Sequence, residues 1–201
     1  SLITGIATLL TVRELIRQRR SQHRPELSIE NVVLDAVYSS SIRRMHGIVL
    51  IPKGAIEPRN EFESIRLTVA NVGRGVARDI KGHWSYDRHT IVTALATHGE
   101  LIGGNIWLDG DGTTFEASDG SIKRWTGNHD LEMAPLHPFP VSHAANIPFE
   151  GSYVMLSEFL LSVSMEKRSL DLLDTPTLPN IRLELTYSDL EGFNYKKTFH
   201  I

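Results

Sequence analysis

The sequence predicts a mainly β protein, in which an antiparallel β-sandwich is preceded by one N-terminal α-helix. Three observations predict this class. Residues 1–12 carry no charge and continue into an arginine-rich segment without a turn signal. From Leu27 onwards, apolar side chains alternate with polar ones, which is the period of strands that are covered on one face. Clusters of Gly, Asp and Asn separate the alternating runs, as they do in sheets built from hairpins.

Length and composition indicate one good-sized folded domain with an appendage. The chain has 201 residues, of which 41% are hydrophobic and 22% are charged, values typical of folded proteins. It contains no cysteine. Disulfide scaffolds, thiolate metal sites and cysteine nucleophiles are therefore excluded.

The opening segment predicts a helix that associates with a membrane. We interpret residues 1–20 as the C-terminal part of a membrane or membrane-associated helix and 21–26 as a linker, because Pro25 disfavours helix at the residue before it. A span needs about 20 apolar residues, and the uncharged run ends at Val12. A complete span is expected only if further residues precede Ser1. The alternative is a helix that packs on its own domain or on a partner through an apolar face that includes Leu2, Ile6, Leu9 and Ile16.

Charge is unevenly distributed along the chain. Residues 1–24 contain five arginines and one glutamate, a net charge of +4, whereas the whole chain carries −3. The acidic remainder argues against binding of nucleic acid, which requires a basic surface. The basic segment suits anionic lipid headgroups, and the positive-inside tendency predicts that the body faces the cytoplasm. The expected membrane-proximal cations are Arg13, Arg17, Arg19 and Arg20.

The sequence pattern of the body, residues 27–201, predicts many short strands. Alternation is clearest over 181–188, and the segment "FLLSVSM" at 159–165 follows the same period. The turn at 189–192 predicts a hairpin with Gly192 at a positive-φ position. Residues 87–150 depart from this pattern and are expected to form a long irregular insertion. We expect no long helix after residue 24.

The phrase "LTVANVGRGVARDIKGHW", residues 67–84, predicts a strand, a tight loop and a second strand. An Asn at the end of the first strand is able to satisfy backbone groups in the loop. The two glycines are expected to permit positive φ angles, and the Ala to allow close packing of the next strand. These predicted structural turn residues are Asn71, Gly73, Gly75 and Ala77.

This phrase and the closing hairpin "LTYSDLEGFNY" resemble a known group of domains. They are similar to the strand–loop–strand signature of bacterial and archaeal immunoglobulin-like adhesion-type domains, the CARDB-like group. The resemblance implies an immunoglobulin-like antiparallel sandwich for residues 27–201. It implies a fold rather than a function, because such domains serve many roles.

Candidate ligand sites are few. The stretch "DGDGTTFEASDG" is acidic, but counting from Asp109 places Thr113 at position 5 and Gly120 at position 12, where an EF-hand loop needs acceptors. The histidines of the proline-rich segment lack the spacing of a helical metal site. Acidic turns and surface histidines explain both features, so we expect no cofactor. The least unfavourable metal candidates are Asp109, Asp111, His129 and His137.

No catalytic motif is present, and the leading functional hypothesis is non-enzymatic. It describes a membrane-anchored accessory, scaffold or assembly subunit that touches lipid headgroups through its helix. The sandwich would bind a protein partner, or a second copy of the chain, through sheet edges or residues 87–150. The alternative is a ligand- or cation-sensing module that uses the loops at 105–143.

Overall fold

The computed structural model describes most of the chain, with short gaps between the described segments. The described residues are 2–38, 48–55, 65–97, 103–110, 112–126, 130–138, 144–169 and 178–201.

Within these segments, strands predominate and all paired strands are antiparallel, which confirms the mainly β class. The predicted N-terminal helix is also present. In chain order the elements are α1 (Leu2–Gln22), β1 (Leu27–Ile29), β2 (Leu34–Tyr38), β3 (Ile48–Pro52), β4 (Arg66–Asn71), β5 (Arg78–Tyr86), α2 (Arg88–Ala96), β6 (Gly104–Asp109), β7 (Gly112–Ala117), β8 (Ile122–Thr126), β9 (Asp130–Met133), β10 (Ala145–Pro148), α3 (Gly151–Ser169), β11 (Ile181–Ser188) and β12 (Asn194–His200).

Two sheets form the centre of the body. In the first, β4 lies between β1 and β10, and in the second the strand order is β12-β11-β5-β9. Leu27 pairs with Asn71 in the first sheet, and Leu183 pairs with Trp84 in the second. The inward faces of both sheets belong to one hydrophobic core. Alternation along 181–188 is observed as predicted, because every second side chain of β11 enters this core.

The segment at 87–150 is more regular than expected. It contains α2, and β6, β7 and β8 form a separate three-stranded sheet. Asp87 caps α2 by accepting a hydrogen bond from the Thr90 N–H at 3.0 Å. The sheet of β6, β7 and β8 packs against the main core through Phe115, whose ring centroid lies 5.7 Å from that of Phe159. The acidic turns therefore mark hairpins rather than a structureless loop.

The prediction of a strand at 159–165 is wrong, and so is the expectation that no long helix follows residue 24. These residues lie within α3, a helix of 19 residues. Over seven residues, alternation cannot be told apart from one face of a buried helix. The buried positions follow the helical spacing of three and four, and Met165, which alternation placed with the buried set, is exposed. The core-facing side chains include Leu156, Phe159, Leu160 and Val163.

The N-terminal helix α1 ends at Gln22, two residues into the expected linker. No helix in the described part of the chain is long and apolar enough to cross a lipid bilayer.

Candidate functional site at the neck

The connection between α1 and the body, which we call the neck, consists of residues 23–26. It runs along the loop at 72–75, whose four consecutive backbone N–H groups donate to two neck carbonyl oxygens. The first two N–H groups bind the oxygen of Glu26 at 2.8 and 3.3 Å, and the next two bind the oxygen of Arg24 at 3.1 and 3.4 Å. The loop therefore holds the neck in a fixed path at the end of β4.

Glycines make this approach possible. A Cβ on Gly75 would overlap the carbonyl oxygen of His23, and one on Gly73 would overlap the backbone nitrogen of Glu26. Neither glycine has a positive φ angle, so the reason expected from the sequence is wrong at these two positions. They are needed for the close contact of two backbones. Gly192, in the 189–192 turn, does have the predicted positive φ angle, of 83°.

Asn71 is the hydrogen-bonding centre of the neck. Its side chain is fully buried, and its Oδ1 accepts from the N–H groups of Glu26, at 3.1 Å, and Gly73, at 3.0 Å. Its Nδ2 donates to the carbonyl oxygens of Gly75, at 2.6 Å, and Leu136, at 3.0 Å. One amide thus connects the neck, the 72–75 loop and the segment after β9. Buried polar groups of this kind are retained only when they are fully bonded.

The fourth predicted turn residue, Ala77, is also fully buried. It forms an isolated antiparallel bridge with Leu136 through two backbone hydrogen bonds of 2.9 Å. Because Leu136 also accepts from Asn71, this bridge ties the segment after β9 to the neck.

The closing hairpin supports the neck from the other side. The Arg24 guanidinium lies 5.2 Å from the ring centroid of Tyr195, within the range of a cation–π contact. Tyr195 in turn stacks on Tyr187, with centroids 5.5 Å apart. The Nζ of Lys197 lies 3.2 Å from Oε1 of Glu26. The neck is therefore bound through both its backbone and its side chains.

The hairpin turn is itself fixed by a buried carboxylate. The Tyr195 hydroxyl donates to Oδ2 of Asp189 at 2.8 Å, and Oδ1 accepts from the N–H groups of Glu191 and Phe193, each at 2.9 Å. Burial, together with the hydrogen bond to the Asp189 carboxylate, raises the pKa of Tyr195 to about 12. Burial opposes ionisation of Asp189, yet its pKa is lowered because the N–H of Phe193 and the Tyr195 hydroxyl donate to it. Asp189 is a structural anion.

The membrane-proximal arginines lie on a helix whose described side chains are exposed. Every described side chain of α1, from residue 10 onwards, is exposed, including those of Leu10, Leu15 and Ile16. Arg13, Arg17 and Arg19 are exposed on the same segment, whereas the side chain of Arg20 lies outside the described residues.

Of the predicted metal candidates, Asp109 and His137 lie among the described residues. Asp109 lies beside Arg124, with Oδ2 3.6 Å from the guanidinium Nε, and Arg124 also donates to the Asp109 carbonyl oxygen. His137 is exposed, and Asp111 and His129 lie outside the described residues. No group of three potential metal ligands occurs among the side chains that are described. The cation-sensing alternative stays a prediction.

A histidine–carboxylate pair does occur on the outer face of the four-stranded sheet. The Nδ1 of His83 lies 2.7 Å from Oδ1 of Asp130, and both side chains are largely exposed. Glu184, the cross-strand neighbour of His83, is paired instead with Lys196 at 2.8 Å. The hydrogen bond from Lys196 lowers the pKa of Glu184. Such exposed pairs form a solvated polar surface and contribute little to stability.

Two buried glutamates were not predicted from the sequence: Glu158 lies within α3, and Glu150 lies directly before it. Glu158 is 3% exposed, and its Oε1 accepts from the N–H of Leu50 at 2.9 Å, so a helix side chain covers one edge of β3. Glu150 accepts from the Ser152 hydroxyl at 2.6 Å. That hydroxyl also lies 2.8 Å from the hydroxyl of Tyr86, whose pKa is raised by burial. The sequence signal for Glu158 is a carboxylate between two apolar runs, 153–156 and 159–161.

The neck thus combines four backbone hydrogen bonds from the 72–75 loop with a buried amide that makes four more, and these bonds fix the path of the chain between α1 and the body. The chain matches no protein-family model, no curated protein and no solved structure.

Proposed function

We propose that the chain is a non-enzymatic, membrane-associated accessory or assembly subunit whose body binds a protein partner. The observation that carries this proposal is the contrast between α1 and the neck. The described side chains of α1 are exposed, including several large apolar ones, whereas residues 23–26 are bonded tightly to the body. A helix presented in this way is suited to contact something other than its own domain.

For the body we propose an immunoglobulin-like sandwich of the CARDB-like kind. The three-stranded and four-stranded sheets with a common core support this assignment, because two antiparallel sheets that pack over one core are the architecture of such sandwiches. The segment from α2 to β8 and helix α3 are additions to a minimal sandwich.

We propose β12 as the edge that receives the partner. It is the outer strand of the four-stranded sheet, and no described strand pairs with its other side. At seven residues it is longer than β1, β9 or β10, the other edge strands of the two main sheets. An exposed edge strand offers unpaired backbone groups to an added strand.

The test is photo-crosslinking in the native host followed by native mass analysis in mild detergent. A photoreactive residue replaces Thr198, an exposed side chain of β12, and a matched control replaces Thr93, an exposed side chain of α2. The proposal predicts one defined adduct from position 198 and none from position 93, with a native mass that equals the chain plus the crosslinked protein. A monomeric particle without adducts from position 198 would refute it.

A further inference from the structure

Three large apolar side chains are exposed in the turns around the neck. Val72 lies in the loop after β4, and Leu190 and Phe193 lie in the turn between β11 and β12. Their exposed fractions are 56%, 65% and 36%. Single exposed apolar residues are common on soluble proteins, but three of them at one end of a body need a reason.

Strand register places these turns at the same end of the body. Leu27, the first residue after the neck, pairs with Asn71, so β1 begins where β4 ends. Ser188, the last residue of β11, pairs with Arg78, the first residue of β5. The contacts of Arg24 with the 72–75 loop and with Tyr195 link the two turns directly. We call this region, residues 23–26, 71–78 and 188–195, the neck end.

The positive charge next to the neck end comes from α1. The exposed cations of the neck end itself are Arg24, Arg74 and Arg78. The carboxylates of Glu26, Asp79, Asp189 and Glu191 balance them, because hydrogen bonds from neutral groups leave a carboxylate charged. Residues 1–24, which lead into the neck, carry a net charge of +4, and the described arginine side chains of α1 are exposed.

We propose that the neck end rests on an anionic lipid surface, with Val72, Leu190 and Phe193 entering the headgroup region. Apolar turn tips beside a basic helix are the chemistry that such a surface binds, because hydrophobic insertion and attraction to acidic headgroups add together. A second copy of the chain is disfavoured as the occupant, since two identical basic helices repel each other. The inference rests on the proposed membrane association and adds which face of the body meets the lipid.

The absence of cysteine allows a direct test on the full-length chain. Single-cysteine variants Leu190→Cys and Phe193→Cys are labelled with a fluorophore that reports the polarity of its surroundings. Ile122→Cys is the matched control, because Ile122 is also 65% exposed and lies in β8, in the separate sheet that follows the opposite end of β5. The probe surface is phosphatidylcholine vesicles with and without phosphatidylserine.

The proposal predicts that labels at 190 and 193 shift to the blue and are quenched by lipid-bound nitroxides, only when phosphatidylserine is present. The label at 122 stays in water. Leu190→Asp is expected to weaken vesicle binding roughly tenfold, as burial of one leucine implies, and Ile122→Asp to leave it unchanged.

Three results overturn the inference and separate it from the proposed function. If the chain sediments with vesicles while the label at 190 stays in water, the neck end does not touch lipid but membrane association stands. If the chain does not sediment at all, both proposals fail. If the label at 190 responds to chain concentration or to an added protein without vesicles, the neck end is a protein interface.

Discussion

The Asn71→Ala substitution tests the neck most sharply. It removes four hydrogen bonds from a side chain that is 0% exposed. Gly73 N–H keeps its contact with the Glu26 oxygen, and the Leu136 oxygen keeps its bond from Ala77. The Glu26 N–H and the Gly75 oxygen are left without a described partner. A buried group left unsatisfied costs about 1–3 kcal/mol, so we expect a loss of about 2–5 kcal/mol in the free energy of unfolding.

The assay is urea denaturation followed by circular dichroism, supported by thermal melting. For a chain of this size, that loss lowers Tm by roughly 5–15 °C. The control is Asn146→Ala, because Asn146 is exposed in β10 and its only described side-chain bond is a 3.3 Å contact with Thr68. This control is expected to change stability by less than about 0.5 kcal/mol. An Asn71→Ala variant as stable as the control would refute the role of Asn71.

Three further predictions concern the neck, the hairpin and α3. Gly75→Ala is expected to displace the neck and to speed tryptic cleavage at the arginines of residues 17–20. Gly151→Ala, where a Cβ meets nothing, is expected to leave the cleavage rate unchanged. Equal cleavage rates in the two variants would contradict the need for close approach at Gly75. Because the folded pKa of Tyr195 is raised to about 12 from 10.0, its stabilising effect is present below pH 10 and is lost as pH rises from 10 towards 12. Alkaline denaturation curves of Tyr195→Phe should lack this component, and a curve parallel to that of the unmodified chain would argue against the bond to Asp189. In chemical denaturation, Phe159→Ala is expected to lower the free energy of unfolding by about 3–5 kcal/mol and Met165→Ala by less than about 0.5 kcal/mol. Similar losses at both positions would contradict the helix and favour a strand at 159–165.

Local sequence signals predicted the elements whose structure depends on near neighbours. The alternation over 181–188 and the turn with Gly192 describe β11, β12 and their connection, because the side-chain period and the turn chemistry are both local. The helix at the N-terminus was also predicted from a continuous segment. The prediction of a strand at 159–165 was wrong because seven residues are too few to separate a period of 2 from a period of 3.6.

The neck joint depends on contacts that no local pattern reveals. The sequence indicated that Asn71 and the two glycines matter, but not that the chain 45 residues earlier lies against them. Only the folded arrangement shows that the glycines are required for clearance from residues 23–26. The same holds for Glu158, whose partner Leu50 is 108 residues away.

Amide hydrogen exchange at residues 72–75 tests the central claim, that α1 is joined to the body by a fixed neck. The N–H groups of this loop lie outside any strand and donate to carbonyl oxygens of the neck. A fixed neck predicts that all four amides of the unmodified protein exchange far more slowly than the intrinsic rates of an unfolded chain, and that they exchange fast in Gly75→Ala. Intrinsic exchange rates at these four amides in the unmodified protein would contradict it.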